Sequence, residues 1–139
     1  MSKHDHVLAL VGRIGLAAVF LPSGFGKLMA SGATAGYIAS KGLPLPQVLA
    51  VGTGLLEVVC ALALLVGWRT KWAALALAVF TLVAAVLFHN FWAAEASQAM
   101  FQRLSFFKNL GIAGGLFILA AFGPGQFGVD ARQFDRDAT

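Results

Sequence analysis

Apolar residues gather in four long blocks, Val7–Gly26, Val48–Trp68, Trp72–Trp92 and Leu104–Phe122, with polar residues largely confined to the segments between them. A helix needs about 20 mostly apolar residues to cross a bilayer at about 1.5 Å per residue. Each block therefore predicts a membrane-spanning helix. The segments between them carry breakers. Ser31–Gln47 contains Gly32, Gly36, Gly42, Pro44 and Pro46 and reads as a loop with a short interfacial turn around Tyr37. Gly67–Lys71 is a tight connection, so the second and third helices should be antiparallel neighbours. Ala93–Arg103, with Glu95, Gln98, Gln102 and Arg103, reads as a polar loop, and Gly123-Pro124-Gly125 ends the last helix. The pattern predicts an all-α fold, a four-transmembrane-helix bundle over residues 1–125 with antiparallel neighbours and short loops. A polar C-terminal tail, residues 126–139, should lie at the surface.

Composition supports the membrane class. The chain is 59% hydrophobic and 12% charged, against about 45–50% and about 25% in soluble domains. The net charge of +4 is spread along the chain without a basic stripe, so nucleic acid is not an expected partner. Arg13 interrupts the first block and no small-x-small site follows it, so that block is a retained helix rather than a cleaved signal. Cys60 is the one cysteine, which excludes an internal disulfide and C-x-x-C redox chemistry; it is expected to be a small buried apolar residue. Near the helix ends, Lys3, Arg69, Lys71, Arg132 and Arg136 would share one side, opposite Lys27, Lys41, Arg103 and Lys108. The shortest loop holds Arg69 and Lys71, so both termini are expected in the cytoplasm.

Arg13, Lys27, Glu57, His89 and Lys108 lie within the apolar blocks or at their rims. A charge at membrane depth costs about 2.5–3.5 kcal/mol on insertion scales and usually faces protein or water. Counted from the outer ends of the blocks, Lys27, His89 and Lys108 lie within about 6 Å of that boundary, Glu57 about 14 Å down and Arg13 about 20 Å down. The small gap between the last two predicts an Arg13–Glu57 pair, either fixing helix register or tuning a protonatable Glu57 beside a ligand pocket. Lys27, His89, Asn90, Lys108 and Asn109 should form an outer cluster suited to an anion, a phospholipid head or the carbonyl oxygens of a quinone. No paired Cys/His spacing suggests a metal site. On the first helix, Arg13, Phe20, Gly24 and Lys27 share a face. Gly24 and Gly26 would permit close helix approach, and Pro22 would free the carbonyl of Ala18. Phe80, Phe88, Phe91, Phe101, Phe106 and Phe107 add aromatic surface toward the outer end, as lipid-facing packing or as ligand contact.

In these residues the chain resembles the DoxX family of small four-helix membrane proteins. The likeness runs from about Leu8 to Asp130. It rests on R-x6-F-x3-G-x2-K from Arg13 to Lys27, Gly54-Leu55-Leu56-Glu57, Gly67-Trp68-Arg69-Thr70, Phe107-Lys108-Asn109-Leu110, and Gly123-Pro124-Gly125 followed by Asp130. The family takes its name from membrane subunits linked to thiosulfate:quinone oxidoreduction, and other relatives are tied to quinone detoxification or oxidative-stress complexes. The resemblance implies a multi-pass protein of the bacterial inner membrane, and a quinone-interacting subunit without a complete active site of its own. Glu57 and His89 would be its catalytic groups. Arg13, Lys27, His89, Lys108 and Asn109 would bind the ligand, a quinone rather than a metal or nucleotide. Expected partners are membrane lipids, a soluble redox or sulfur-handling protein, and a second copy of the chain. The competing readings are a non-catalytic scaffold that recruits soluble redox partners, and a small transporter or lipid-binding protein.

Overall fold

The structure, a computed structural model, describes residues 2–131. Arg132, Arg136 and the rest of the tail from 132 onward lie outside the described residues, as does Met1. The elements run α1 (Lys3–Met29), α2 (Ser31–Ser40), α3 (Pro46–Val66), α4 (Thr70–Phe88), a 3-10 turn (Phe91–Ala93) and α5 (Ala96–Phe122). Four of these helical stretches are long and apolar enough to cross a membrane. The described residues form the expected all-α four-span bundle, because a chain in lipid must satisfy its backbone polar groups within each segment.

Two expected loops are helical instead. Ser31–Ser40 forms α2, which buries Ala35 and Ile38 against Ala50, with Leu43, Leu49 and Phe88 around them. Ala96–Arg103 forms the first turns of α5, so that helix begins before its apolar block. His4 and His6 also lie within a helix, α1, whose start is fixed by a capping box between Ser2 and Asp5.

The main packing is α1 on α3 and α4 on α5; α2 lies on α3, and α3 and α4 touch less extensively. The core is built from Ala17, Ala61, Ala74 and Ala78 with Phe20, Leu64, Leu77 and Leu116. Small residues at these crossings let helices approach where lipid removes the hydrophobic drive for association. α1 and α3 approach closely at Gly24 and Gly54. A Cβ added at Gly24 would lie 2.8 Å from Gly54 O, whereas one at Gly26 would meet nothing within 4 Å. Gly24 is therefore the contact glycine of α1, and Gly26 is not. Around it α1 buries Arg13, Phe20 and Gly24 of the predicted face together with Ala17, while Lys27, the fourth member of that face, is half-buried.

The two ends of the described chain meet at one end of the bundle. Gln126 N donates to His6 Nδ1 over 3.2 Å. Val129 N donates to Val66 O and Asp130 N to Gly67 O, so the segment after α5 folds over the α3–α4 turn. The Asp130 carboxylate accepts from Arg69 N and Thr70 N, each at 2.8 Å, and supplies the N-cap that α4 lacks locally. Trp68 and Trp72 sit exposed at this end, and Trp92 at the other, as interfacial belts require.

Candidate functional site

Arg13 and Glu57 are both buried, at 0% and 3% exposure, but they do not pair. Arg13 Nε donates to Leu64 O at 2.6 Å and Nη1 to Pro124 O at 3.1 Å, and Nη2 donates to Leu65 O. Nε and Nη2 thus reach carbonyls in the last turn of α3, where the helix dipole is negative, and Leu64 O accepts from Gly67 N as well. Register explains the miss. With antiparallel α1 and α3 crossing at Gly24 and Gly54, Arg13 falls level with Leu65. Glu57 is then about 12 Å away along the axis.

Glu57 pairs with Lys27 instead. Lys27 Nζ lies 2.8 Å from Glu57 Oε2, and Ser23 Oγ donates to Glu57 Oε1 at 3.0 Å. Ser23 and Lys27 are one turn apart on α1, so both reach the same carboxylate on α3. The ammonium also stands 4.8 Å from the ring centroid of Phe80 on α4, a cation–π distance. One charged group therefore ties three helices together.

This group forms the floor of a cavity of about 420 Å³ between all five helices. α2 supplies Thr34, Tyr37 and Ile38, and α3 supplies Thr53 and Glu57. His89, Lys108 and Asn109 also line it, so the structure brings together Lys27, Glu57, His89, Lys108 and Asn109. Arg13 does not line it, and neither does Asn90, which precedes the 3-10 turn. His89 Nδ1 lies 2.8 Å from Gln102 Oε1. A proton on Nδ1 donates to that amide oxygen and leaves Nε2 as the ring's other polar atom. Lys108 has no acidic partner among the described residues.

Aromatic rings divide into two groups. Phe20, Phe80 and Phe88 wall the cavity, and Tyr37 packs on Phe88 with centroids 5.4 Å apart. Phe91, Trp92, Phe106 and Phe107 pack on one another beside it, mostly edge to face. Phe101 is exposed.

Four hydroxyl-bearing lining residues are not evident from the sequence pattern. Ser23, Thr34 and Thr53 carry no charge to draw attention, and Thr34 and Thr53 bond to carbonyls of their own helix or its cap. Thr81 is the fourth. It is 4% exposed and lines the cavity, and its Oγ1 has no hydrogen-bond partner among the described residues. A buried hydroxyl without a partner costs about 1–3 kcal/mol. Among the described residues, no three His, Cys, Asp or Glu side chains gather as a metal site would require.

The fold and cavity define a small multi-pass membrane protein with a polar, aromatic-walled chamber inside its helix bundle. The DoxX family model matches residues 8–90, and the chain belongs to that family. It is 34% identical over 126 residues to inner membrane protein YphA of Escherichia coli, covering 91% of this chain and 90% of that one. Inner membrane protein YqjF of Escherichia coli is 38% identical over 133 residues, 94% of this chain and 95% of that protein. The Surfeit locus protein 4 homolog of Schizosaccharomyces pombe is 33% identical over 81 residues, 57% of this chain and 27% of that protein. No solved structure matches the chain at a significant level.

Proposed function

We propose that this protein resides in the inner membrane and binds the head group of a quinone in the five-helix cavity, as the quinone-interacting subunit of a membrane oxidoreductase or detoxification system. The observation that carries the reading is the unpartnered Thr81 hydroxyl, buried in a chamber that also holds the Lys27–Glu57 pair. A quinone is a flat apolar ring with carbonyl acceptors on opposite edges. Phe20, Phe80 and Phe88 offer it faces. Thr81 offers an unused donor, and Lys27 has protons beyond the one given to Glu57. His89, Lys108 and Asn109 offer polar groups on α4 and α5. When a partner delivers two electrons and the ring takes up two protons, its oxygens become hydroxyl donors. Glu57, an acceptor held by Ser23 and Lys27, is placed to receive such a bond. The electrons would come from a soluble redox or sulfur-handling protein.

Residence in the inner membrane is supported by the names of the two Escherichia coli relatives. Lys3, Arg69 and Lys71 lie at the end where the two described chain ends meet, and Lys27, Lys41, Arg103 and Lys108 at the other; with Lys27 and Lys108 taken up by the cavity, Arg69 and Lys71 in the shortest loop favour a cytoplasmic position for both termini. Reporter fusions at either terminus test that orientation.

The test of the site is titration of the purified protein in nanodiscs with ubiquinone and menaquinone analogues, comparing wild type with His89→Ala and Lys108→Ala. Saturable binding weakened about tenfold by either change, equivalent to one charge-assisted contact, supports the site. Saturable binding indifferent to both removes it. A wild type that binds neither quinone class but still recruits a redox partner establishes the scaffold reading instead.

A further inference from the structure

A second concavity of about 580 Å³ runs along the outside of the bundle between α3 and α4. Its lining is wholly apolar: Leu56 from α3, and from α4 a stripe that includes Trp72, Ala76, Val79, Phe80 and Val83. Steps of three and four residues keep this stripe on one helix face for about 16 Å. It runs from the Trp72 end of α4 toward the level of the cavity. α3 and α4 pack less extensively on each other than α1 on α3 or α4 on α5, which leaves the seam open.

Phe80 belongs to both spaces. From the groove it is a wall, and inside the cavity its ring faces Lys27 Nζ at 4.8 Å. One half-buried side chain thus separates a polar chamber from an apolar trough open to lipid. Any movement of Phe80 away from the cavity displaces its cation–π contact with the ammonium that holds Glu57.

We propose that the α3–α4 groove seats the isoprenoid tail of the ligand whose head group occupies the cavity, with Phe80 as the side gate between them. The inference rests on the quinone reading above. Phe80 lines both spaces, and one amphipathic molecule with its ring on the cavity side of Phe80 and its chain on the groove side accounts for both. An entirely apolar groove beside a polar chamber matches an apolar chain attached to a polar ring. Entry from the bilayer through this seam would spare the head group a passage through water.

The experiment uses the full-length protein in nanodiscs and a quinone analogue with a diazirine on its isoprenoid chain, with cross-links mapped by mass spectrometry. Labels should fall on the α3–α4 groove, at residues such as Leu75, Val79 and Val83. An excess of the tailless head-group quinone should suppress them. Ala76→Trp fills the groove from the lipid-facing side. It should weaken binding of the tailed quinone about fivefold, the scale of a few lost side-chain contacts, while leaving the tailless one unchanged. Labels confined to the α1–α5 side, or tailed binding unaffected by Ala76→Trp, overturn the groove assignment and leave the head-group site standing. A wild type that binds neither analogue overturns both. Labelling that persists under excess tailless quinone, or a dimer dissociated by Ala76→Trp, shows the groove to be an ordinary lipid or subunit contact and overturns the proposal. Should Ala76→Trp fail to fold, the label map and its competition decide the question alone.

Discussion

Glu57 Oε2 is held by Lys27 Nζ at 2.8 Å, while Arg13 is bonded along α3 to Leu64 and Leu65. The buried carboxylate therefore takes its counter-charge from the cavity side of the bundle. Removing one member of a buried pair is costly because the other is left uncompensated. Lys27→Met leaves the buried Glu57 carboxylate without its counter-charge and should destabilise the protein by about 2–3 kcal/mol; Glu57→Gln should cost less, because Lys27 is 27% exposed and its freed head can turn to solvent. The double variant should recover most of the loss. Unfolding curves for the four proteins in one detergent or bicelle composition give the coupling directly; a coupling near zero would show that the pair does not hold the bundle.

Arg13 should behave as an independent site. Its donors serve three carbonyls, from Leu64, Leu65 and Pro124. Arg13→Lys keeps the charge but cannot fan out to all of them. It should cost about 2–4 kcal/mol at buried hydrogen bonds of charged character. Combined with Glu57→Gln, the effects should add within about 0.5 kcal/mol, as for separated sites without shared partners. Strong coupling between the two in a double-mutant cycle would instead restore the direct Arg13–Glu57 pair.

The register that separates those residues comes from Gly24 and Gly54. A Cβ at Gly24 would lie 2.8 Å from Gly54 O and from Val58 Cγ2. The backbone oxygen cannot swing away as a side chain can, so Gly24→Ala must push α1 and α3 apart. A loss of about 1–3 kcal/mol is expected. Gly26→Ala has open space around it and should be neutral or gain up to about 1 kcal/mol from helix propensity. Thermal unfolding of the two variants side by side tests the contrast.

The long spans were legible because a bilayer forces apolar runs on any helix that crosses it. What the runs could not give was the lateral register of one helix on another. The depth count that paired Arg13 with Glu57 took the ends of apolar blocks as a common plane, and the Gly24–Gly54 crossing shifts that plane. α2 was hidden for another reason. Gly32 and Gly36 in Ser31–Ser40 argue against a helix, and packing of Ala35 and Ile38 on Ala50 overrides them. Of the cavity lining, Lys27, Glu57, His89, Lys108 and Asn109 were readable; Arg13 and Asn90 were expected with them and do not line it, and Thr81 was not readable. A threonine within an apolar helix commonly bonds back to its own turn; that this one does not is visible only in three dimensions.

Asp130 is expected to act at a distance in sequence. Its carboxylate caps α4 through Arg69 N and Thr70 N, and Arg69 has the left-handed φ of 49° at the N-cap position. Asp130→Ala should cost about 1–2 kcal/mol. The loss should appear locally, as faster hydrogen exchange at the first turn of α4 and at the end of α3. Exchange unchanged at Arg69 and Thr70 would mean that water replaces the cap without penalty.

Thr81 sets stability against binding. Its hydroxyl is buried without a partner on the cavity wall, so the unliganded protein carries a desolvation cost that an isosteric apolar side chain would not. Thr81→Val keeps the branched shape and removes the hydroxyl. It should leave the fold unchanged or raise its stability by about 1 kcal/mol, because an unmet polar group is removed rather than a bond. The same change should weaken quinone-analogue binding about fivefold, the worth of one neutral hydrogen bond. Opposite signs on the two measurements would mark a residue kept polar for what enters the cavity. A Thr81→Val protein that is less stable and binds as before would show that the hydroxyl serves the bundle itself.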